Sequence, residues 1–237
     1  MIQHRLIDRV RDLCRADDRL TAALMYGSFV TGEADEHSDI EFWLFSDVEV
    51  DAGEWLRRIG PIRHVAVNEF GAHVAFFPGL IRGEFHFHQD VSVVSTWPMR
   101  DVEIIVDRTG ALRAAVGRPV PVEDRPDLGG RFANWLVLTH RVTQRGELLR
   151  AIDALAHVQR HLLWLARLAE GHTEHWLTPS RAAETDLPQH VVAALHRATA
   201  TADPESVTAA LAAAWRLGRD YAGLPEALAA ELDAALL

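Results

Sequence analysis

Tyr26-Gly27-Ser28-Phe29, followed ten residues later by Ser38-Asp39-Ile40-Glu41-Phe42-Trp43-Leu44-Phe45, is the stretch that decides the fold. The run Thr21–Tyr26 is short and apolar and stops at Gly27, which reads as a buried strand entering a turn. Asp39–Phe45 reads as a second strand. Strand residues two apart share a face, so Asp39 and Glu41 stand side by side while Ile40, Phe42 and Leu44 point to a buried face. Adjacent carboxylates repel unless a cation offsets them. At the Gly27-Ser28 turn the backbone can approach a phosphate closely, with the Ser28 hydroxyl and nearby N–H groups as donors.

Outward from this stretch, residues 2–19 carry apolar positions at helical spacing (Ile2, Leu6, Val10, Leu13). A short helix is expected over 51–59, strands over 63–70, 72–78 and 81–88, and a last strand over 103–106. Residues 117–130 are rich in Pro, Gly and charge and read as a linker. Beyond it the pattern is helical. Two long amphipathic runs cover 131–145 and 147–170, and Pro179, Pro188, Pro204 and Pro225 start or separate the later helices. Residues 191–237 hold 16 alanines in 47 positions, which favours helix. The expected architecture is α+β. A mixed β-sheet domain with flanking helices spans residues 1–117, an all-α bundle spans 131–237, and a cleft is expected between them.

Composition narrows the function. The chain has 237 residues, 49% of them hydrophobic, and a net charge of −10. An acidic balance argues against a nucleic-acid footprint, and no apolar run is long enough to span a membrane. The N-terminus reads as a mixed polar segment and not as a leader, so the cytoplasm is the expected compartment. A single cysteine, Cys14, excludes a disulfide framework and a multi-thiolate zinc site. All 24 cationic side chains are arginine, so the lysine-dependent phosphate loop is excluded and arginines must hold any phosphate. Arg145 and Arg150 are the candidates.

On the strand 81–88, Glu84 shares a face with Arg82 and His86. A third carboxylate on a neighbouring strand suits proton abstraction from an attacking hydroxyl. His86 and His88 share strand spacing, but no third zinc ligand is evident beside them, so a structural or supporting role is expected. On the helix 147–170, Arg150, Asp153, His157, Arg160 and Trp164 form one stripe. Trp135, His157 and Trp176 are candidates for the wall of an amphipathic ligand site.

These segments resemble a known family. Gly-Ser followed by Asp-x-Glu is similar to the nucleotidyltransferase superfamily. Tyr26–Phe29, Ser38–Phe42 and Leu80–Phe87, together with Arg145–Ala151 and His175–Arg181, resemble the lincosamide nucleotidyltransferases. The resemblance implies transfer of AMP from Mg-ATP to a sugar hydroxyl of lincomycin or clindamycin, release of pyrophosphate, and antibiotic resistance. It implies that Asp39 and Glu41 bind Mg²⁺, that Glu84 is the general base, and that Gly27 and Ser28 hold the triphosphate. It implies a homodimer whose ligands are ATP and a small-molecule acceptor. Two alternatives stand beside it. One is an aminoglycoside adenylyltransferase, with Asp153, Glu170, Glu174 and Glu184 holding a polycation. The other is a nucleotidyltransferase-like antitoxin or regulator, for which Arg167 and His172 fit the Arg-x4-His pattern of helical ribonuclease toxins.

Overall fold

The structure is a computed structural model that describes residues 1–97, 101–116 and 127–237. Most of the expected linker at 117–130 lies outside these residues. The chain divides into two compact units, Met1–Val122 and Glu123–Leu237.

The first unit begins with α1 (Ile2–Ala16), which buries Ile7, Val10, Leu13 and Cys14 along one stripe. β1 (Leu20–Tyr26) follows, then the single turn α2 (Ser28–Thr31), β2 (Ile40–Ser46) and α3 (Ala52–Arg57). The Asp51 carboxylate accepts from the Glu54 N–H at the start of α3. Next come β3 (His64–Val67), β4 (His73–Phe77), β5 (Ile81–His88), a 3₁₀ turn over Val91–Thr96, β6 (Glu103–Asp107) and α4 (Ala111–Val116). β3 stops earlier than the apolar pattern predicts. The Asn68 side chain accepts from the N–H groups of Phe70 and Ala72 and folds the segment into a turn.

The six strands form one sheet in the order β3-β4-β5-β2-β1-β6. β2 and β5 are parallel, and the other pairs are antiparallel. β2 is central and covered on both faces. Ile40, Phe42 and Leu44 pack with α1 and Trp55, while Trp43 and Phe45 pack with Val94 and Leu112. Covering both faces explains why β2 reads as a near-continuous apolar run. Glu41, near its start, is the one position of β2 that is not fully buried.

Asp17 anchors this unit. It is 6% exposed. Its carboxylate accepts from Arg19 (2.9 and 2.8 Å), from Arg58 (2.8 Å) and from the Trp55 indole N–H (3.1 Å). The Arg19 hydrogen bonds, helped by Arg58 and opposed by burial, hold its pKa well below the usual carboxylate range. A depressed pKa adds stability above the unfolded value of ~3.9, and that stability is lost as pH falls toward the folded value. Asp17→Asn is therefore expected to cost about 2–4 kcal/mol at neutral pH by stranding the arginines. It should also flatten the acid limb of stability below about pH 4. Urea unfolding across pH checks both, and a variant as stable as the parent at pH 7 contradicts the anchor.

The second unit contains α5 (Leu128–Gln144), α6 (Leu148–Glu170), α7 (Ala183–Asp186), α8 (Gln189–Arg197), α9 (Pro204–Tyr221) and α10 (Glu226–Leu236). α5 starts three residues before the apolar period predicts, because the Asp127 carboxylate caps the Gly130 N–H. Pro188 and Pro225 stand at the caps of α8 and α10, and Pro204 opens α9. Pro179 lies outside any helix, and its carbonyl accepts from Arg167. Phe132, Leu136, Leu155, Val158, Leu162, Leu211 and Trp215 form the core. At Gly218 a Cβ would lie 2.4 Å from the Phe132 ring, so glycine lets α9 approach α5 closely. The Ala-rich tail is folded: Trp215 Nε1 and Arg219 both donate to Asp233 and tie α9 to α10. Among the described residues no helix is long and apolar enough to cross a membrane.

Candidate active site

The end of β1, the start of β2 and the middle of β5 meet on one face of the sheet. Glu41 pairs in register with Tyr26 on one side and with Glu84 on the other. Parallel neighbours in register point the same way, so Glu41 and Glu84 share a face. Asp39, immediately before β2, is drawn to the same face by Arg82. The Arg82 guanidinium donates to Asp39 Oδ2 and to Glu84 Oε2, each at 2.5 Å. One cation thus bridges two of the three carboxylates.

Gly27 closes the arrangement. Its φ of +79° and ψ of −161° lie in a region open essentially to glycine. A Cβ there would lie 1.7 Å from Glu41 Oε2, so the Glu41 carboxylate occupies the space that the missing side chain leaves. Ser28 follows, buried at the first position of α2. The sequence-predicted residues Gly27, Ser28, Asp39, Glu41 and Glu84 are therefore brought together. Gly27→Ala should displace Glu41 and strain the turn, at a cost of about 1–3 kcal/mol. A lowered melting temperature in calorimetry is the expected result. An unchanged one would show that Glu41 does not need this position.

Both oxygens of Glu84 are engaged. Arg82 holds Oε2, and His86 Nε2 lies 3.1 Å from Oε1. A carboxylate only accepts, so Nε2 carries the proton in this contact. The Tyr26 hydroxyl lies 3.3 Å from the same nitrogen. His86 is 2% exposed and stacks on Trp43, with ring centroids 4.6 Å apart. The His86 hydrogen bond, with those of Arg82 and against burial, lowers the Glu84 pKa. Burial pushes the Tyr26 hydroxyl up, and Glu41 and Glu84 add to this. His86 and His88 both stack on Trp43. Among the described residues no group of three His, Cys, Asp or Glu could hold a metal ion. The role of Arg82 goes beyond the sequence reading. Its signal was the alternation Arg82, Glu84, His86 along one strand face.

The donor set at Asp39 and Glu41 fits a hard divalent cation. Mg²⁺ takes oxygen ligands, commonly one or two carboxylates, with waters and substrate phosphates filling the rest. The space over Gly27, which a Cβ would fill, gives the Glu41 carboxylate its place.

In the helical unit, Trp135 and His157 stack face to face, with centroids 4.1 Å apart and planes 10° apart. Trp176 is 3% exposed, and its carbonyl accepts from Trp164 Nε1 at 2.8 Å. Its ring belongs to the interior. Arg145 and Arg150 flank the turn between α5 and α6. Both are exposed, and Arg150 pairs with Glu147 at 3.0 Å. Glu170 accepts from the Tyr221 hydroxyl at 3.0 Å. Arg167 is fully buried and donates to the carbonyls of Pro179, His172 and Arg181 and to Asp186. It is a structural strut, which removes the basis for reading Arg167 and His172 as a ribonuclease-toxin pair.

The family model described as lincosamide nucleotidyltransferase-like, C-terminal domain, matches residues 125–236. No curated protein matches the chain. Among solved structures, the chain is similar to an aminoglycoside 6-adenyltransferase from Bacillus subtilis. The identity is 14%, over 97% of this chain and 90% of that one, with a TM-score of 0.41. Residues 125–236, the greater part of the helical unit, are thus similar to the lincosamide nucleotidyltransferase-like C-terminal domain.

Proposed function

We propose that this protein transfers AMP from ATP to a hydroxyl of a lincosamide antibiotic, with release of pyrophosphate. The observation that carries this reading is the convergence of Asp39, Glu41 and Glu84 beside the Gly27 turn, in a chain whose other unit is lincosamide nucleotidyltransferase-like.

Asp39 and Glu41 would hold Mg²⁺, which when bound offsets charge on the triphosphate. Glu84 takes the proton from the acceptor hydroxyl as its oxygen bonds to the α-phosphorus. The bond from that phosphorus to the bridging oxygen breaks, and pyrophosphate leaves with the electron pair. A carboxylate is a weak base toward an alcohol, so this transfer belongs late, when the O–P bond is largely formed. Gly27 and Ser28 approach the triphosphate. Arg145 and Arg150, exposed at their turn, are the proposed cations for phosphate charge. The stacked pair Trp135 and His157 offers an apolar, planar surface to the acceptor, while Trp176, buried and stacked on Trp164, has no direct part in it.

The test is pyrophosphate release with Mg-ATP against lincomycin, clindamycin, a panel of aminoglycosides and no acceptor. Release with lincosamides alone is expected. Release with aminoglycosides alone would overturn the acceptor and keep the reaction. A protein that binds Mg-ATP but releases no pyrophosphate with any acceptor would favour the regulatory reading.

A further inference from the structure

We propose that Arg82 is an exchangeable counter-ion, which holds Asp39 and Glu84 in the ligand-free protein, yields Asp39 to the divalent cation and then moves to the nucleotide phosphates. The inference rests on the metal assignment above.

Three carboxylates, Asp39, Glu41 and Glu84, share one sheet face, and Glu84 is only 14% exposed. Like charges at this spacing destabilise one another without a cation. Arg82 provides that cation, with one guanidinium nitrogen on each of two carboxylates. Yet the contact conflicts with the proposed chemistry. Asp39 Oδ2 is a weaker metal ligand while it accepts from Arg82, because the guanidinium already offsets its charge. Glu84, with His86 on Oε1 and Arg82 on Oε2, has both oxygens occupied and lowered basicity. A carboxylate oxygen that already accepts from a guanidinium is a poorer proton acceptor and a poorer metal ligand. Releasing Arg82 restores the charge of Asp39 Oδ2 and Glu84 Oε2 to those tasks.

Arg82 is built to move. It is about one-third exposed on its side chain, lies on β5 and needs only a rotation of its flexible stem. The arriving metal-nucleotide brings both charges the exchange requires, a dication for the carboxylates and phosphate oxygens for the guanidinium. Arginine forms its strongest contacts with such paired oxygens. His86 keeps Glu84 in place throughout, because it is buried against Trp43.

The experiment measures Mn²⁺ binding to the nucleotide-free protein by electron paramagnetic resonance, and Mg-ATP binding by calorimetry, for wild type, Arg82→Gln and Arg82→Lys. The expected result for Arg82→Gln is Mn²⁺ affinity raised about tenfold or more and Mg-ATP affinity lowered about tenfold, with a lowered melting temperature that Mn²⁺ raises again. Arg82→Lys, a single point charge, should restore weak Mn²⁺ binding and recover part of the ATP affinity. Mn²⁺ affinity that is equal or lower in Arg82→Gln overturns the exchange, because it would make Arg82 a fixed brace. If Arg82→Gln does not fold, Arg82→Lys decides by the same comparison with wild type. Tighter Mn²⁺ binding in a protein that transfers no AMP would keep the exchange and overturn the proposed function. Intact transfer with Mn²⁺ affinity insensitive to residue 82 would do the reverse.

Discussion

If Glu84 is the proposed base, Glu84→Gln is expected to lower turnover by about 10²-fold or more, with ATP binding largely intact. The amide keeps the shape of the carboxylate but cannot take the hydroxyl proton. The parent contacts explain why the loss belongs to turnover. Glu84 sits in register with Glu41, and its oxygens face Arg82 and His86. None of these contacts needs a proton-accepting group to hold the strand. The glutamine oxygen can still accept from Arg82 or from His86, so the sheet and the Asp39–Glu41 pair are kept. Steady-state kinetics together with direct ATP titration check this. A variant with a near-normal rate would remove Glu84 from the chemistry. A variant that loses ATP binding and turnover together would make it part of the metal site.

Arg167→Met unfolds the helical unit at a much lower temperature. Arg167 is 0% exposed, and its guanidinium donates to three backbone carbonyls and to Asp186. It pins the irregular segment between α6 and α7 to the end of α6. Methionine matches the stem in volume but leaves those acceptors and a carboxylate unpaired. Removing one partner of a buried ion pair costs about 3–5 kcal/mol. For a unit of this size that corresponds to a fall in melting temperature of about 10 °C or more. Calorimetry of the full chain reads it. Arg167→Lys should recover little, since an ammonium cannot span the same fork of acceptors. A stable variant would contradict the strut.

The sheet and the site were largely legible because their signals are local. Alternation along Asp39–Leu44 and along Arg82–Phe87 fixes which residues share a face, and glycine at 27 marks a turn that a side chain would block. Strand pairing then brings Glu41 to Glu84 without further instruction. What was not legible depends on three dimensions. The bridge from Arg82 to Asp39 spans two strands, and the sequence shows only that Arg82 and Glu84 are near. Trp176 and Trp135 look alike as candidates for a ligand wall, yet one is interior and the other stacks on His157. Arg167 sits in a short pattern shared with unrelated proteins, and only its burial shows that it is a strut. The early end of β3 turned on one asparagine side chain, whose turn competes with the strand ladder.

The most direct test of nucleotidyl transfer is to follow which phosphate of ATP reaches the acceptor. Wild-type protein would be incubated with Mg²⁺, lincomycin and ATP labelled at either the α or the γ phosphate, and the label on the antibiotic would be counted. The arrangement of Asp39, Glu41 and Glu84 predicts that the α label moves to lincomycin and that the γ label leaves with pyrophosphate. Transfer of the γ label to the antibiotic would contradict it, because it would make the reaction a phosphoryl transfer.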